Sequence, residues 1–301
     1  MKVLSLFDGI SCGMVALERT NIEVEKYVAY EIEENAIKVS KSNYPNIIQK
    51  GDVFKAEYKE GEFDLLIGGS PCTYWSIAKA GNNREIVSSG FGWELFMQYV
   101  RALKEVKPKY FLYENNFSMS DNIKNEITKQ LGVEPVLIDS ADFSAQIRKR
   151  YYWTNIEVDL NYDKSDLTIK DIIFEHEYKV KNFSKYKDTV KWNKDKTVCS
   201  WDTSGKGYYS RQSRCRTINA KSNTLSASGN DKNNIWLGNY KCRKLHPIEA
   251  ERLQTLPDNY TSCLASKIKR SEVCGNGWTV DVIAHIFKNI KNDMSNQNST
   301  Y

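Results

Sequence analysis

A cysteine directly after an apolar run is the first residue in this sequence with a clear chemical use. Cys72 follows the run 64–69 and the conformationally restricted Pro71. Parallel sheets bind ligands at the carboxyl ends of their strands, where this cysteine is predicted to lie. A free thiol, with a pKa of about 8.5, is partly ionised at neutral pH and is then a nucleophile. The alternative, which is commoner for cysteine, is a small buried apolar residue.

An acid and two arginines follow the next predicted strands. Glu114 ends an apolar run, so it is expected at the same sheet edge as Cys72. Alternatively, Glu114 is an ordinary acid that caps a helix or lies in a loop. Gln146, Arg148 and Arg150 alternate along an extended segment and therefore share one side of it. Two arginines on one side can bind a phosphate and a base oxygen. Alternatively, they are the charged residues that protect an exposed edge strand.

A glycine-containing turn near the N-terminus favours a nucleotide-like ligand. The strand candidate 3–7 leads into Gly9 and Gly13, where glycine permits a sharp turn and a close approach. Glu31 lies 22 residues beyond Gly9, a spacing typical of a carboxylate that binds ribose hydroxyls, and Asp52 follows a further strand. The turn matches neither G-x-G-x-x-G nor a Walker loop. Each feature alone is also typical of an ordinary surface loop, but their order favours an adenosine-containing cofactor.

Alternating strands and helices are predicted to position these residues. The first half of the chain alternates short apolar runs with helical patterns, which indicates an α/β fold with a mostly parallel sheet and helices on both faces. A helix is predicted over 93–106 and ends before Pro108. The strand candidates are residues 3–7, 26–30, 64–67, 110–113 and 135–138.

The composition changes in the second half of the chain. Residues from about 157 to 235 are polar and contain few apolar runs, so a smaller lobe with irregular structure is expected there. Helices are predicted again over 248–256 and 280–290.

Overall composition excludes several classes of protein. Hydrophobic residues make up 41% and charged residues 27%, which excludes global disorder and collagen-like repeats. No stretch of about 18 uncharged apolar residues is present. The seven cysteines form no C-x-x-C pair or zinc-type spacing, and their odd number suits free thiols in a reducing cytosol. We therefore expect no membrane partner, no metal and a cytoplasmic location.

Positive charge is concentrated in the predicted second lobe. Residues 196–245 contain ten basic and two acidic residues, a net charge of +8, against +5 for the whole chain. Trp201, Tyr208, Tyr209 and Trp236 are interleaved with them, as are several glycines. Basic, aromatic and glycine-rich loops are typical of contacts with a nucleic-acid backbone. The alternative is a solvated lysine-rich surface.

Taken together, these segments resemble the motifs of the cytosine-5 DNA methyltransferase family, in that family's order and over nearly the whole chain. The resemblance implies a Rossmann-like S-adenosylmethionine-dependent methyltransferase sheet with a smaller, irregular target-recognition domain. It assigns residues 1–154 to the catalytic and cofactor-binding domain, 155–237 to target recognition, and 238–301 to a segment that returns to the catalytic domain. The matching segments are Phe7–Gly13, Pro71-Cys72, Glu114-Asn115, Gln146-x-Arg148-x-Arg150, 223–227, 243–247 and 274–278.

Three positions depart from the family's pattern. Thr73 stands where many members have Gln, and Asn116 stands where the family usually has Val. Trp278, after Gly277, replaces the commoner Val. None of these changes removes an expected reactive group; they concern the base pocket and the cofactor lid.

The resemblance also implies covalent catalysis on cytosine. Cys72 would add to C6, while Glu114 would contact N3 and the exocyclic amine. Arg150 would contact O2, with Arg148 nearby on the backbone or on protein. C5 would then take the methyl group of S-adenosylmethionine. The implied cofactor-binding residues are Phe7, Asp8, Gly9, Ile10, Gly13, Glu31, Ile32, Asp52, Val53, Pro71, Asn276 and Trp278.

The implied partner is double-stranded DNA, from which the target cytosine would be rotated out of the helix. Ser76 and the loop to about Gly92 would close over that base. The major-groove loops are placed at 205–212 and 226–231, where an arginine can read guanine or only bind phosphate. The DNA-binding candidates are Ser76, Lys206, Tyr208, Arg211, Arg214, Ser226 and Ser228.

Three alternatives share part of this pattern. A tRNA cytosine-5 methyltransferase would use the same chemistry, and the basic lobe does not separate the two polymers. A non-catalytic DNA-binding relative would be expected to lose Pro71-Cys72 or the cofactor glycines, which are present. An NAD oxidoreductase on a similar sheet is disfavoured by the missing G-x-G-x-x-G. The prediction is a monomeric DNA (cytosine-5-)-methyltransferase of the bacterial or phage modification type.

Overall fold

The computed structural model describes residues 1–76, 84–207, 214–226 and 233–298. Contacts divide the chain into two compact units. The first contains Met1–Asp139, Lys149–Tyr162 and Val280–Tyr301, and the second contains Ser140–Arg148 and Asp163–Thr279. The predicted C-terminal segment 238–301 is therefore divided, since its residues up to Thr279 group with the second unit.

The elements confirm the predicted α/β class. The strands of the described residues are β1 (Lys2–Leu6), β2 (Lys26–Tyr30), β3 (Ile48–Gln49), β4 (Leu65–Gly68), β5 (Tyr110–Asn116), β6 (Val136–Asp139), β7 (Lys149–Thr154), β8 (Lys181–Asn182), β9 (Lys191–Trp192), β10 (Val198–Ser200), β11 (Arg214–Arg216), β12 (Asn234–Gly238) and β13 (Lys241–Lys244). The helices are α1 (Cys12–Arg19), α2 (Glu34–Asn43), α3 (Phe91–Val106), α4 (Asp121–Leu131), α5 (Ile169–Ile172), α6 (Pro247–Leu253), α7 (Lys267–Asn276) and α8 (Val280–Asn298). Among the described residues, no helix is both long and apolar enough to cross a bilayer.

The first unit is built on one sheet. Its strand order is β3-β2-β1-β4-β5-β7-β6, and the pairs from β3 to β5 are parallel. Strand β7 is antiparallel to both of its neighbours. The order reverses between β1 and β4, and open α/β sheets bind ligands at the carboxyl ends of their strands beside such a reversal. The topology therefore predicts a site after β1, β4 and their neighbours.

Burial explains why these segments form strands and helices. Every residue of β5 is buried, as expected for a central strand that is covered on both faces. Helix α3 buries Phe96, Tyr99 and Val100 against the same core. Helix α4 begins at its N-cap Ser120, whose hydroxyl accepts the Ile123 amide hydrogen bond. The apolar positions whose spacing predicted these elements are thus the positions that pack in the core.

The second unit contains more regular structure than the irregular lobe that the sequence predicted. Six short strands within the described residues form a sheet of order β8-β13-β12-β11-β10-β9. Its core holds the stacked rings of Phe183 and Trp201, with centroids 3.9 Å apart, and the buried Cys199, Cys215 and Cys242. All seven cysteines lie in the described ranges and are free thiols, as expected. The strands escaped prediction because each is only two to five residues long.

Two buried carboxylates on helix α6 organise the rest of the second unit. Glu249 binds the Arg243 guanidinium through both oxygens, at 2.6 and 2.7 Å, in a buried bidentate pair. Glu251 accepts hydrogen bonds from the Asn259 and Thr261 amides and pairs with Arg270. Removal of one member of such a pair would leave an uncompensated buried charge, which costs about 3–5 kcal/mol. Helix α6 is therefore a fixed support for the chain that follows it.

His246, the N-cap of α6, links the stability of this unit to pH. Its Nδ1 accepts a hydrogen bond from the Ile248 amide at 3.3 Å, which a protonated ring nitrogen cannot do. Burial, assisted by the nearby His176 and Lys267, lowers the pKa of His246 from 6.5 to about 4. Because folding favours the neutral ring, its stabilising contribution is complete above pH 6.5 and decreases as the pH falls towards 4.

The substitution His246→Asn should weaken this pH dependence. Asparagine keeps an N-cap acceptor but is not protonated in this range. When the pH is lowered from about 7 to about 5, the free energy of unfolding measured in urea should decrease by about 1 kcal/mol more in the wild type than in the variant. This value includes a reduction for solvent screening, because the ring is partly exposed. A comparison at pH 7.5 to 8.5, where the ring is neutral, is the control. Parallel acid profiles for the two proteins would contradict this role of His246.

Candidate active site

The turn after β1 is held in an unusual backbone conformation. Phe7, Gly9 and Ser11 all have positive φ angles of 57° to 60°, and only glycine adopts that region without strain. The Gly9 amide donates to Glu31 Oε2 at 2.8 Å, and Glu31 Oε1 accepts the amides of Ile32 and Glu33 at the same distance. The carboxylate of Glu31 thus joins the carboxyl end of β1 to that of β2.

The surroundings of Glu31 fit an adenosine-like group. A carboxylate offers about four acceptor sites, so one carrying amide hydrogen bonds can still accept from a hydroxyl. Ile32 is 73% exposed next to this carboxylate, so its apolar side chain is accessible for contact with a planar ring. Asp52 caps a 3-10 turn by accepting the Phe54 amide at 3.0 Å, and Val53 is buried beneath it. The first unit thus brings together the candidates of β1, β2 and β3.

Asp8 is the half-buried acid of this turn. Its carboxylate accepts hydrogen bonds from the Ser11 hydroxyl at 2.5 Å and from the Tyr27 hydroxyl at 2.7 Å. Ile10 is buried next to it, and Gly13 lies in the first turn of α1. Burial outweighs the Ser11 hydrogen bond and raises the pKa of Asp8 to about 6. Asp8 is therefore an internal support of the turn in this structure.

The candidate nucleophile begins a short 3-10 turn. Cys72 follows Pro71, and the turn spans Cys72–Tyr74. The Cys72 carbonyl accepts the amides of Trp75 and Ser76 at 3.1 and 2.9 Å. The Cys72 side chain is half-buried, while the side chains of Pro71 and Thr73 are exposed. The thiol is therefore accessible on a backbone that is held by its own hydrogen bonds.

A buried network that the sequence did not reveal ties this turn to strand β5. The Ser70 hydroxyl and the Tyr113 hydroxyl are 2.7 Å apart, and Asn115 Nδ2 donates to the Ser70 carbonyl at 3.1 Å. Burial raises the pKa of Tyr113, so its hydroxyl stays protonated. Asn115 belongs to the Glu-Asn motif, which was the available signal, but no role followed from the motif alone. The network fixes Cys72 relative to the strand that carries Glu114.

Glu114 and Arg150 form an ion pair on neighbouring strands. Arg150 Nε lies 2.8 Å from Glu114 Oε1, and both side chains are nearly buried, with 12% and 11% exposed. In the register of β5 and β7, Glu114 is opposite Tyr152 and Arg150 is opposite Asn116, so the pair is diagonal. The structure thus brings two of the predicted catalytic residues together, with Cys72 in the turn after the adjacent strand β4.

Arg148 belongs to the second unit, whereas Glu114 and Arg150 belong to the first. It is buried, and its Nη2 donates to the carbonyls of Gly275 and Gly277 at 3.3 and 3.0 Å. Gln146 is also buried, with its amide bound to Leu253 and Gln254. These contacts exclude the exposed-edge alternative for Arg148. Arg148 thus binds the backbone on either side of Asn276, next to Trp278.

The remaining candidates belong to the second unit, with one exception. Asn276 is exposed at the end of α7, and Trp278 is half-buried. Lys206 is exposed in a turn that the Asp202 carboxylate organises by accepting the Gly207 amide at 2.6 Å. Arg214, on β11, and Ser226 are half-buried, as is Ser76 in the first unit. Tyr208, Arg211 and Ser228 lie outside the described residues, as do parts of the predicted loops 76–92, 205–212 and 226–231.

Across the described ranges, no group of three or more His, Cys, Asp or Glu side chains is arranged to hold a metal ion.

Comparison with known proteins identifies the family and the fold. The profile of the C-5 cytosine-specific DNA methylase family matches residues 1–292. The type II methyltransferase M.FnuDI of Fusobacterium nucleatum is 27% identical over 99% of this chain and 96% of its own length. The orphan methyltransferase M.Rho11sI of Bacillus phage rho11s is 34% identical over 53% of this chain, but the match spans only 34% of that relative. The structure of the S. pombe Dnmt2 methyltransferase has a TM-score of 0.68 at 14% identity, covers 98% of this chain and 99% of its own, and supports the fold.

The substitution Asp8→Asn should increase stability at neutral pH. The pKa of Asp8 is raised from 3.8 to about 6, so folding favours the neutral carboxyl, and its contribution is lost as the pH rises through 6. Asparagine cannot ionise, and the variant should be more stable by about 1–3 kcal/mol at pH 7.5 and nearly equal to the wild type near pH 4. Urea unfolding at both pH values measures this, with Asp163→Asn as the control for loss of one negative charge. A destabilised variant at pH 7.5 would refute the prediction.

Proposed function

The chain belongs to the C-5 cytosine-specific DNA methylase family, as its motifs predicted, and we propose that it transfers a methyl group from S-adenosylmethionine to C5 of a cytosine in double-stranded DNA. One observation carries the proposal. The Cys72 turn is hydrogen-bonded through Ser70 to β5, the strand on which Glu114 pairs with Arg150. A nucleophile, an acid and a cation are thereby held at one edge of the sheet.

Cys72 is the nucleophile in this proposal. Cytosine C5 is a poor nucleophile, and addition of the Cys72 thiolate to C6 makes C5 enamine-like. The new S–C6 bond uses the thiolate electron pair, and the electrons of the C5–C6 double bond become available at C5. The half-buried position of the thiol allows a base to reach it. The exposed side chains of Pro71 and Thr73 border the same approach.

Glu114 and Arg150 act on the ring. Glu114 contacts N3 and the exocyclic amine and, by sharing a proton with N3, stabilises the charge that develops when the thiolate adds. Arg150 Nε holds the Glu114 carboxyl, and its Nη1 donates to the Lys149 carbonyl at 2.8 Å. A guanidinium has five N–H donors, so Arg150 can also bind O2 of the base. Nearly complete burial strengthens each of these contacts.

The turn after β1 holds the methyl donor in this proposal. When bound, S-adenosylmethionine supplies an activated methyl group. Glu31 would bind the ribose hydroxyls, Asp52 the adenine amine, and the exposed Ile32 the face of the adenine ring. After methyl transfer to C5, a base, for which we propose a water molecule, removes the C5 proton. The S–C6 bond then breaks and Cys72 leaves as thiolate.

The second unit is proposed to recognise the target. A cytosine inside a duplex is unreachable, so it must be rotated out, at a cost of a few kcal/mol. Within this unit, Lys206, Arg214 and Ser226 are the described candidates for DNA contact, and Lys206 is exposed on the Asp202 turn. The concentration of positive charge over residues 196–245 favours binding to a phosphate backbone. We propose a monomer that acts on DNA without a metal.

Methyl transfer from tritiated S-adenosylmethionine tests the proposal directly. Mixed-sequence duplex DNA should become labelled, and Cys72→Ser should lower the rate at least about 1,000-fold, because the covalent route is lost. Cys263→Ser, at another half-buried cysteine, is the matched control and should retain wild-type activity. Label only in tRNA would move the function to an RNA substrate. No label in either polymer, with cofactor bound, would favour a non-catalytic binding protein.

The substitution Glu114→Gln tests the role of the acid separately. Glutamine keeps the shape and an acceptor for Arg150 but cannot deliver a proton as a carboxylic acid does. We expect kcat to decrease about 100- to 10,000-fold while the KM for DNA changes little. The exposed Glu60→Gln is the control, since Glu60 pairs only with Lys107 on the surface among the contacts described here. Unchanged kcat in Glu114→Gln would exclude this role.

A further inference from the structure

A clasp of hydrogen bonds joins the Cys72 turn to residues Arg84 and Glu85. The Glu85 amide donates to the Tyr74 carbonyl at 2.9 Å, and the Trp75 indole Nε1 donates to Glu85 Oε2 at 3.0 Å. Arg84 Nε donates to the Trp75 carbonyl at 2.9 Å. We call Tyr74, Trp75, Arg84 and Glu85 the clasp. The clasp connects two residues that precede the segment 77–83 in the sequence with two residues that follow it.

Arg84 also contacts the segment that follows strand β5. Its Nη2 donates to the Ser118 carbonyl, two residues beyond the end of β5. The Ser118 hydroxyl in turn donates a hydrogen bond to Asn116 Oδ1 at 2.8 Å. The same guanidinium therefore binds Trp75, whose amide closes the turn that begins at Cys72, and the segment that follows Glu114.

Glu85 connects the clasp to helix α3. Its Oε1 accepts the amide of Gly92, at the second position of the helix, at 3.2 Å. A carboxylate is favourable at a helix N-terminus, where amide donors lack partners within the helix. A Cβ atom at Gly92 would lie 2.6 Å from Glu85 Oε2 and 2.7 Å from Tyr74 Cβ, so the close approach requires glycine. Trp75 is fully buried against Phe96 of the same helix, with ring centroids 6.5 Å apart.

We propose that Arg84 and Glu85 are positioning residues that hold the Cys72 turn at its working distance from the end of β5. Arg84 acts through the carbonyls of Trp75 and Ser118, and Glu85 acts through the Tyr74 carbonyl and the Trp75 indole. A displacement of about 1 Å between reacting groups can cost about 100-fold in rate. The inference rests on the proposed function, in which Cys72 is the nucleophile and Glu114 the acid.

The test compares Arg84→Met with Arg84→Lys. Methionine keeps an apolar stem but removes every donor, whereas lysine keeps the charge and can bind one of the two carbonyls. With saturating duplex DNA, the single-turnover methyl-transfer rate should decrease about 10- to 100-fold in Arg84→Met and recover partly in Arg84→Lys. The KM for S-adenosylmethionine should change less than about 3-fold, since the clasp does not include the turn after β1. Arg19→Met, which removes a surface pair with Asp281, is the matched control.

A second readout does not depend on methyl transfer. The rate at which iodoacetamide alkylates Cys72, measured by mass spectrometry relative to Cys263, should increase at least about 3-fold in Arg84→Met and in Glu85→Ala because the turn is less restrained. If the wild type transfers no methyl group, the proposed function fails while this measurement still tests the clasp. Unchanged alkylation together with an unchanged transfer rate would overturn the inference. A lower Tm with neither rate changed would assign the two residues to stability alone and would also overturn it.

Discussion

The hydrogen bonds among Ser70, Tyr113 and Asn115 are the constraint on which the candidate site depends. All three side chains are at most 3% exposed, so each polar atom must find a partner inside the protein. A buried polar group without a partner costs about 1–3 kcal/mol, which is a large part of the stability of a domain. The turn after β4 can therefore satisfy its own groups only by lying against the end of β5. The distance from Cys72 to Glu114 follows from this requirement.

Backbone hydrogen bonds fix much of the turn, together with the buried side chains of Ser70 and Trp75. The carbonyls of Ser70, Tyr74 and Trp75 accept hydrogen bonds from Asn115, Glu85 and Arg84. Meanwhile the side chains of Pro71, Cys72 and Thr73 stay exposed or half-buried. A site held in this way is rigid without covering its reactive atom. The arrangement also explains why Thr73 can replace the commoner Gln, since no described contact that fixes the turn uses that side chain.

The elements of the first unit could be predicted because their sequence periods reflect core contacts. Strand β2 was placed at its observed bounds, and α3 was predicted within two residues at its start. Strand β3 was expected before Asp52, but its two residues are too few for a pattern to give its bounds. The antiparallel pairing of β7 was not predicted, because chain order does not show where a strand inserts. The second sheet escaped for the same reason of length. Local pattern therefore predicts elements better than it predicts pairing.

The two arginines show where the candidate site could not be predicted. The period of two predicts that Arg148 and Arg150 share one side, but the two residues belong to different units and bind different partners. Arg150 therefore meets Glu114, while Arg148 binds the carbonyls of Gly275 and Gly277. Arg84 and Glu85 stand in no motif, and apart from the Trp75 indole the partners named above are backbone carbonyl and amide groups, which carry no sequence signal.

Asn116 shows how a departure from the family pattern is absorbed locally. Its side-chain amide donates to Asn115 Oδ1 at 3.1 Å, and its Oδ1 accepts the Ser118 hydroxyl. A valine could make neither contact, so the polar residue extends the buried network of Asn115 to the segment that Arg84 binds. The network of Ser70 and the clasp thus meet at Asn116 and Ser118, directly after Glu114. One connected set of hydrogen bonds therefore supports both the acid, Glu114, and the nucleophile, Cys72. A substitution at Asn116 should affect the positions of both residues.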